Sequence, residues 1–124
     1  MTRYEPADSF ETPRFSDVRT FMRLPNVRDL DNADVAIVGA PFDTGATFRA
    51  GARFGPEGIR SVSHLLRRYN PSLDVVIFDH LSVIDYGDVP VVPGYIEEQK
   101  PARARKTLWL LDACVSIRTF SREP

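Results

Sequence analysis

Side chains able to do chemistry concentrate in one stretch, "GAPFDTGATFRAGARFGPEGIR" at Gly39–Arg60. It holds Asp43, three arginines and five of the chain's seven glycines. Such a segment either cradles a phosphate or forms a shaped wall beside another site. A phosphate loop needs Gly-Lys-Ser/Thr where its helix opens, because the lysine and the hydroxyl reach phosphate and magnesium. Here those places hold Gly55-Pro56-Glu57, and Glu57 repels phosphate. No two glycines are separated by a single residue, which excludes a dinucleotide fingerprint. The wall remains. Gly39, Gly45 and Gly51 permit positive φ or close backbone approach. In open α/β sheets the loops after the carboxyl ends of strands line the ligand crevice. Phe42 to Phe54 should therefore border a site, with Asp43, Thr44, Arg49 and Arg53 as wall residues. Arg49 and Arg53 either contact a ligand carboxylate or pair with local acids such as Asp43.

Elsewhere the reactive residue types do not group. His64 and His80 are the only histidines and belong to no His-x-x-x-His or Asp-x-His spacing. Surface or turn roles are expected for both. Asp85 and Asp88 in "DYGDV" are spaced for an acid/base pair, but at a strand end aspartates more often cap turns. Cys114 has no nearby histidine to activate it. Asp29, Asp31 and Asp34 suggest a calcium loop, but Ala33 and Asp34 stand where such a loop needs an oxygen ligand and a glycine. A solvated turn is expected there. No catalytic residue and no metal ligand is assigned.

The elements that must position the wall follow from patterning. "DVAIVGAP" is a short apolar run ended by Gly39 and Pro41, as in a strand buried on both faces. Gly55-Pro56-Glu57 opens a helix, with proline at the first position and an acid in the first turn. Ile59, Val62, Leu65, Leu66 and Tyr69 continue it as an apolar stripe, predicting a helix over Pro56 to Tyr69 stopped by Asn70-Pro71. Gly58 weakens its first turn. "LDVVIF" and "LSVIDYGDV" are two further strands. The order strand, loop, helix, strand predicts a β-α-β unit at residues 34–98. Residues 1–33 show no sustained period and read as an irregular arm, with Pro25 barring a helix at Leu24.

The 124 residues fit one domain, with 43% hydrophobic and 27% charged residues and a net charge of -1. Nothing in this balance suggests nucleic acid or a membrane surface as partner. Apolar runs are too short for a membrane span, no secretory signal opens the chain, and the single cysteine cannot close an internal disulfide. A cytoplasmic setting is expected. The first 99 residues carry ten arginines, no lysine and fifteen acids, a formal charge of -5. The remaining 25 carry six bases and two acids, +4, and contain both lysines, the tryptophan and the cysteine. The chain changes character near Lys100.

"TFMRLP" at Thr20–Pro25, the stretch from Asp34 to Arg60, "RRYNPSLDV" at Arg67–Val75 and "VIDYGDV" at Val83–Val89 resemble the N-terminal part of agmatinase-type ureohydrolases, relatives of arginase. The likeness covers about residues 14–98. It implies the N-terminal part of a three-layer αβα fold with a mainly parallel sheet, incomplete in this chain. It implies hydrolysis of a small guanidino substrate, agmatine first, to an amine and urea, with a guanidinobutyrase-like activity as the alternative. It implies two manganese ions. A guanidinium is a resonance-stabilised cation and a poor electrophile, and a metal-bound water deprotonates near neutrality to supply hydroxide. The family's Gly-Gly-Asp-His and Asp-Ala-His-x-Asp stretches and its late Asp-x-Asp pair do not occur here. The expectation is a truncated chain that binds no manganese by itself and is inactive alone, or a non-catalytic relative that only binds or assembles. Residues 99–124 are expected to be an atypical, possibly frame-shifted tail. Pro101 should prevent a continuous helix from Ile96 to Ala113. Uncovered apolar strands and free edges are expected to drive self-association.

Overall fold

The computed structural model describes residues 3–91 and the backbone of 115–119. The apolar run forms strand β1, Val35–Gly39, and "VIDYGD" forms β4, Val83–Asp88. They pair in parallel, Val35 beside Val83 and Gly39 beside Asp88, so their carboxyl ends lie together. The register shifts after Ile37, where Tyr86 is the extra residue and Gly87 takes a φ of 89°. A third strand, β5 at Val115–Thr119, pairs antiparallel on the other side of β1, giving the sheet order β4-β1-β5. The rest of the tail, including Pro101 and the segment from Ile96 to Ala113, lies outside the described residues.

Alternation along β1 and β4 makes two small cores. Val35, Ile37 and Val83 pack with Leu24 and Phe78 on one face, supported by Phe21 and Met22. Ala36 and Ile84 pack with Ala33 on the other, beside Tyr4, Val27, Leu30 and Tyr86. Much of the cover comes from the irregular arm. A 3-10 turn at Phe21–Arg23 gives way to extended Leu24, the conformation favoured by a residue before proline. The outer edge of β4 is not free. Val83 N–H donates to the Tyr4 carbonyl at 3.1 Å, and Asp85 N–H donates to the Pro25 carbonyl at 3.1 Å. The expected open edge is thus closed there by the arm, whose polar sequence hides its strand-like role.

The first helix, α1, is Gly55–Ser63, shorter than the predicted Pro56 to Tyr69. Ser63 Oγ donates back to the Arg60 carbonyl at 2.8 Å and accepts from Met22 N–H at 2.9 Å, which anchors the end of the helix to the arm. Leu65 and Leu66 N–H then make tight bonds three residues back. The apolar stripe does not face the sheet: Val62, Leu66 and Tyr69 are exposed, and Leu65 is 73% exposed. Helices gain most stability from packing an apolar face, and this face finds no cover among the described residues. The buried side of α1 is instead Pro56 and Ser63.

"LDVVIF" is not one strand. Two short strands, β2 at Tyr69–Asn70 and β3 at Val75–Val76, form an antiparallel hairpin. Asn70 Oδ1 accepts from Ser72 and Leu73 N–H, and Asp74 closes the turn at a φ of 50°. A helical turn, α2 at Ile77–His80, follows and carries Phe78 into the core. Burying one aromatic side chain outweighs extending a two-residue ladder.

Candidate functional site

Gly39 ends β1 against the end of β4. A methyl group there would overlap the Asp88 carboxylate and approach Pro56 Cβ to 2.9 Å. Only glycine lets the strand, the helix start and Asp88 meet. From that point residues 40–54 leave the carboxyl edge of the sheet as a loop. Asp43 organises it. Its Oδ2 accepts from Gly51 N–H at 2.8 Å, and its Oδ1 accepts from Arg53 Nε at 2.6 Å. Gly51 can donate because it adopts a φ of 145°, which a side chain would strain. The Asp43 side chain is 2% exposed, covered by its own loop, while Arg53 is 49% exposed. The Arg53 hydrogen bond, helped by the Gly51 and Arg53 backbone N–H groups against the opposing effect of burial, holds the Asp43 carboxyl below its ordinary range.

The four expected wall residues share this loop but do not converge. Asp43 and Arg53 pair with each other. Thr44 sits in the turn closed by Ala46 N–H on the Asp43 carbonyl. Arg49 stands apart at a φ of 51°, its guanidinium 5.3 Å from the centre of the Phe48 ring. Its side chain is exposed and makes no ion pair among the described residues.

Behind the loop lies an arrangement the residue types alone did not reveal. Arg60, on the side of α1 away from the apolar stripe, donates through Nε to Asp85 Oδ2 at 2.7 Å and through Nη2 to Asp85 Oδ1 at 2.9 Å. Its Nη1 reaches Asp88 Oδ1 at 2.6 Å. Asp85 is 1% exposed and also accepts from Phe21 and Gly87 N–H. Burial alone would push the Asp85 carboxyl up. The Arg60 hydrogen bonds and the two backbone donors outweigh it, so the pKa lies below the ordinary value. The same partnership, chiefly with Asp85, pushes the Arg60 pKa up against burial. Asp85 and Asp88 are therefore joined by a shared arginine rather than poised as acid and base. The available signal was a helical arginine off the apolar stripe, followed by two aspartates at the end of a strand.

His64 and His80 are apart. His64 Nδ1 lies 3.1 Å from the Arg14 carbonyl, and His80 ends α2 exposed to solvent. Asp29 Oδ1 accepts from Asp31 N–H within the turn, whereas Asp34 Oδ2 reaches across to Ser82 N–H just before β4. Among the described residues no three His, Cys, Asp or Glu side chains stand together as metal ligands. The carboxylates nearest the crevice are already gripped by arginines, so these residues do not fit the two manganese ions that the resemblance implies. Among them, too, no helix is long and apolar enough to cross a membrane.

Comparison with known proteins places this geometry. The chain is 44% identical over 91 residues to the guanidinobutyrase of Pseudomonas aeruginosa, covering 71% of this chain and 28% of that protein. It is 49% identical over 74 residues to the mitochondrial agmatinase of Gallus gallus, covering 60% of this chain and 22% of that one. In structure it resembles the proclavaminate amidino hydrolase of Streptomyces clavuligerus, with a TM-score of 0.65 at 38% identity over 70% of this chain and 30% of that chain. The chain thus spans less than a third of the length of these relatives. Its α/β architecture is an incomplete version of theirs. The arginase family model matches residues 33–112, reaching into the tail set apart above on composition, and the chain belongs to the arginase family.

Proposed function

We propose that this chain supplies one wall of the substrate crevice of a hydrolase acting on small guanidino compounds. The observation that carries the reading is the Asp43-centred loop. It leaves β1 at the carboxyl edge of the sheet, beside the end of β4, and is held in one shape by Gly51 and Arg53. The described residues contribute shape and charge to such a crevice rather than the reacting centre. Hydroxide generation by two manganese ions belongs to the whole enzyme in this reading, with ligands from other segments. The setting is cytoplasmic.

Charge refines the substrate. Asp43 and Arg53 neutralise each other, which leaves Arg49 as the net charge of the loop from residue 40 to 54. Agmatine carries a second cationic group, whereas a guanidino acid carries a carboxylate that a guanidinium can bind in a bidentate way. The lone Arg49 favours the guanidino acid. Agmatine, cleaved to putrescine and urea, is the alternative. Fusing residues 1–98 to the remaining segment of the Pseudomonas guanidinobutyrase and measuring urea release from 4-guanidinobutyrate and agmatine tests both. Arg49→Ala should lower kcat/KM for the guanidino acid about tenfold, consistent with one lost charge-assisted contact, and spare agmatine. Asp43→Ala and Arg53→Ala should impair both substrates, and His64→Ala and His80→Ala neither. If the histidine variants lose most activity while the loop variants match the parent, the crevice lies elsewhere.

Exposed Val62, Leu65 and Leu66 favour a second reading, in which the chain assembles through this stripe with a copy of itself. Size-exclusion chromatography with light scattering tests it. A concentration-independent monomer rejects it.

A further inference from the structure

On the arm side of α1, away from the crevice loop, a groove of about 450 Å³ gathers Arg14, Arg23, His64, Arg67 and Arg68, with Asp8 the only acid in its lining. This is unexpected in a segment whose formal charge is -5. Arg68 is paired with Glu5. Among the described residues no carboxylate pairs with Arg14, Arg23 or Arg67. Asp8 is occupied by Phe10 N–H, accepting at 2.9 Å.

Arg23 is the central oddity. It is only 8% exposed and takes a positive φ of 62°, which a non-glycine residue adopts at a cost. Its guanidinium donates to Ser9 Oγ at 3.1 Å, to the Thr12 carbonyl at 2.8 Å and to the Asp8 carbonyl at 3.5 Å, all uncharged, and its buried Nε has no partner among the described residues. Arginine stays protonated, so this is an enclosed cation that meets no carboxylate among the described residues. Arg14 Nε likewise meets only Ser9 Oγ, at 3.3 Å. His64 contributes a second buried nitrogen without a partner, Nε2. Facing a carbonyl, Nδ1 donates its hydrogen. The groove therefore offers several guanidinium donors, with the buried Arg23 Nε and His64 Nε2 beneath its surface.

We propose that this groove binds a phosphate group, free or as a monoester. Phosphate matches the inventory better than a simple carboxylate. Its several oxygens can accept from more than one guanidinium fork at once, and it brings more charge than a single carboxylate to a cluster of arginines. The site is separate from the guanidino-substrate crevice, and its failure would leave that reading untouched.

The test titrates the 124-residue chain with inorganic phosphate at constant ionic strength, by calorimetry and by amide shifts in NMR. Sulfate, acetate and a phosphate monoester such as glycerol 3-phosphate form the comparison arms. The expected result is saturable phosphate binding with a Kd of about 1 mM or tighter, sulfate binding close to it and acetate binding much weaker. A monoester that binds more tightly than free phosphate would identify the monoester as the ligand, and the reverse would identify the free ion. Arg67→Gln, a change at an exposed residue that should not affect folding, should weaken phosphate about tenfold, and Arg23→Gln at least as much. Arg28→Gln removes the same charge outside the groove and should change affinity less than twofold. No saturation by about 10 mM phosphate, acetate binding equal to phosphate, or equal losses in Arg67→Gln and Arg28→Gln would overturn the proposal.

Discussion

Arg60 and Arg53 each grip an aspartate at the carboxyl edge of the sheet, yet Arg60 is 12% exposed and Arg53 49%. Around Arg60, a helix, a strand and the arm contribute to one cluster: the guanidinium from α1, two carboxylates from β4 and the Phe21 N–H from the arm. Around Arg53 every contact to Asp43 comes from within one loop. The first pairing joins elements distant in sequence. The second fixes the shape of a single segment. The aspartates are equally enclosed, at 2% and 1% exposure, but every group holding Asp43 belongs to one surface loop that can open to water once Arg53 is lost, whereas Asp85 is held by strand, helix and arm and would be left uncompensated. The contrast separates what holds the sheet to its helix from what shapes the crevice wall.

The largest expected effect follows directly. Arg60→Ala should destabilise the chain by about 3 kcal/mol, because it strands the Asp85 carboxylate beside the core. Urea denaturation followed by circular dichroism measures it. Arg53→Ala should leave the midpoint nearly unchanged, with faster hydrogen exchange confined to the 43–53 loop. Equal midpoints for the two variants would erase the distinction.

Acid titration sharpens it. The folded-state pKa of Asp85 lies below the ordinary 3.8, so near that pH the unfolded chain binds more protons than the folded one. Stability from this group is complete above the unfolded value and is lost as pH falls through 3.8 towards the lower folded value. Urea midpoints measured between about pH 5 and pH 2 should fall with acid in the parent. The fall should be clearly shallower in Arg60→Ala, where the largest lowering influence on Asp85 is gone, and slightly shallower in Arg53→Ala, which releases Asp43 in its loop. An identical slope in Arg60→Ala would mean that other carboxylates carry the acid sensitivity.

These same two regions show what sequence can disclose. The loop was legible because its logic is local: an apolar run ending at Gly39, glycines at turning points, and an aspartate ten residues before its arginine. β1, β4 and the proline start of α1 were legible for similar reasons. The Arg60 cluster was not, since it depends on a parallel register that sets Gly39 beside Asp88, and register is a tertiary outcome. The end of α1 at Ser63 escaped notice because the apolar stripe beyond it is helical in spacing but lacks anything to pack on. Likewise, the arm's pairing along β4 uses backbone groups, which no side-chain period reports.

The smallest effect concerns Gly58, which lies in α1 between the two regions. Unlike Gly39, it has open space around it: an added methyl group meets nothing within 4 Å. Its backbone is helical, so alanine costs no strain there and removes freedom from the unfolded chain. Gly58→Ala should raise stability by about 0.5–1 kcal/mol. The gain should appear beside an intact Arg60 cluster, which anchors the helix at the next turn. In the Arg60→Ala background the first turn is free to fray, and the same substitution should yield less. In the Arg53→Ala background the gain should be full, because the loop pair makes no bond to α1. Urea midpoints for the three backgrounds decide it. Equal gains in all three would show that α1 holds its register without Arg60, and that the cluster secures β4 to the arm more than to the helix.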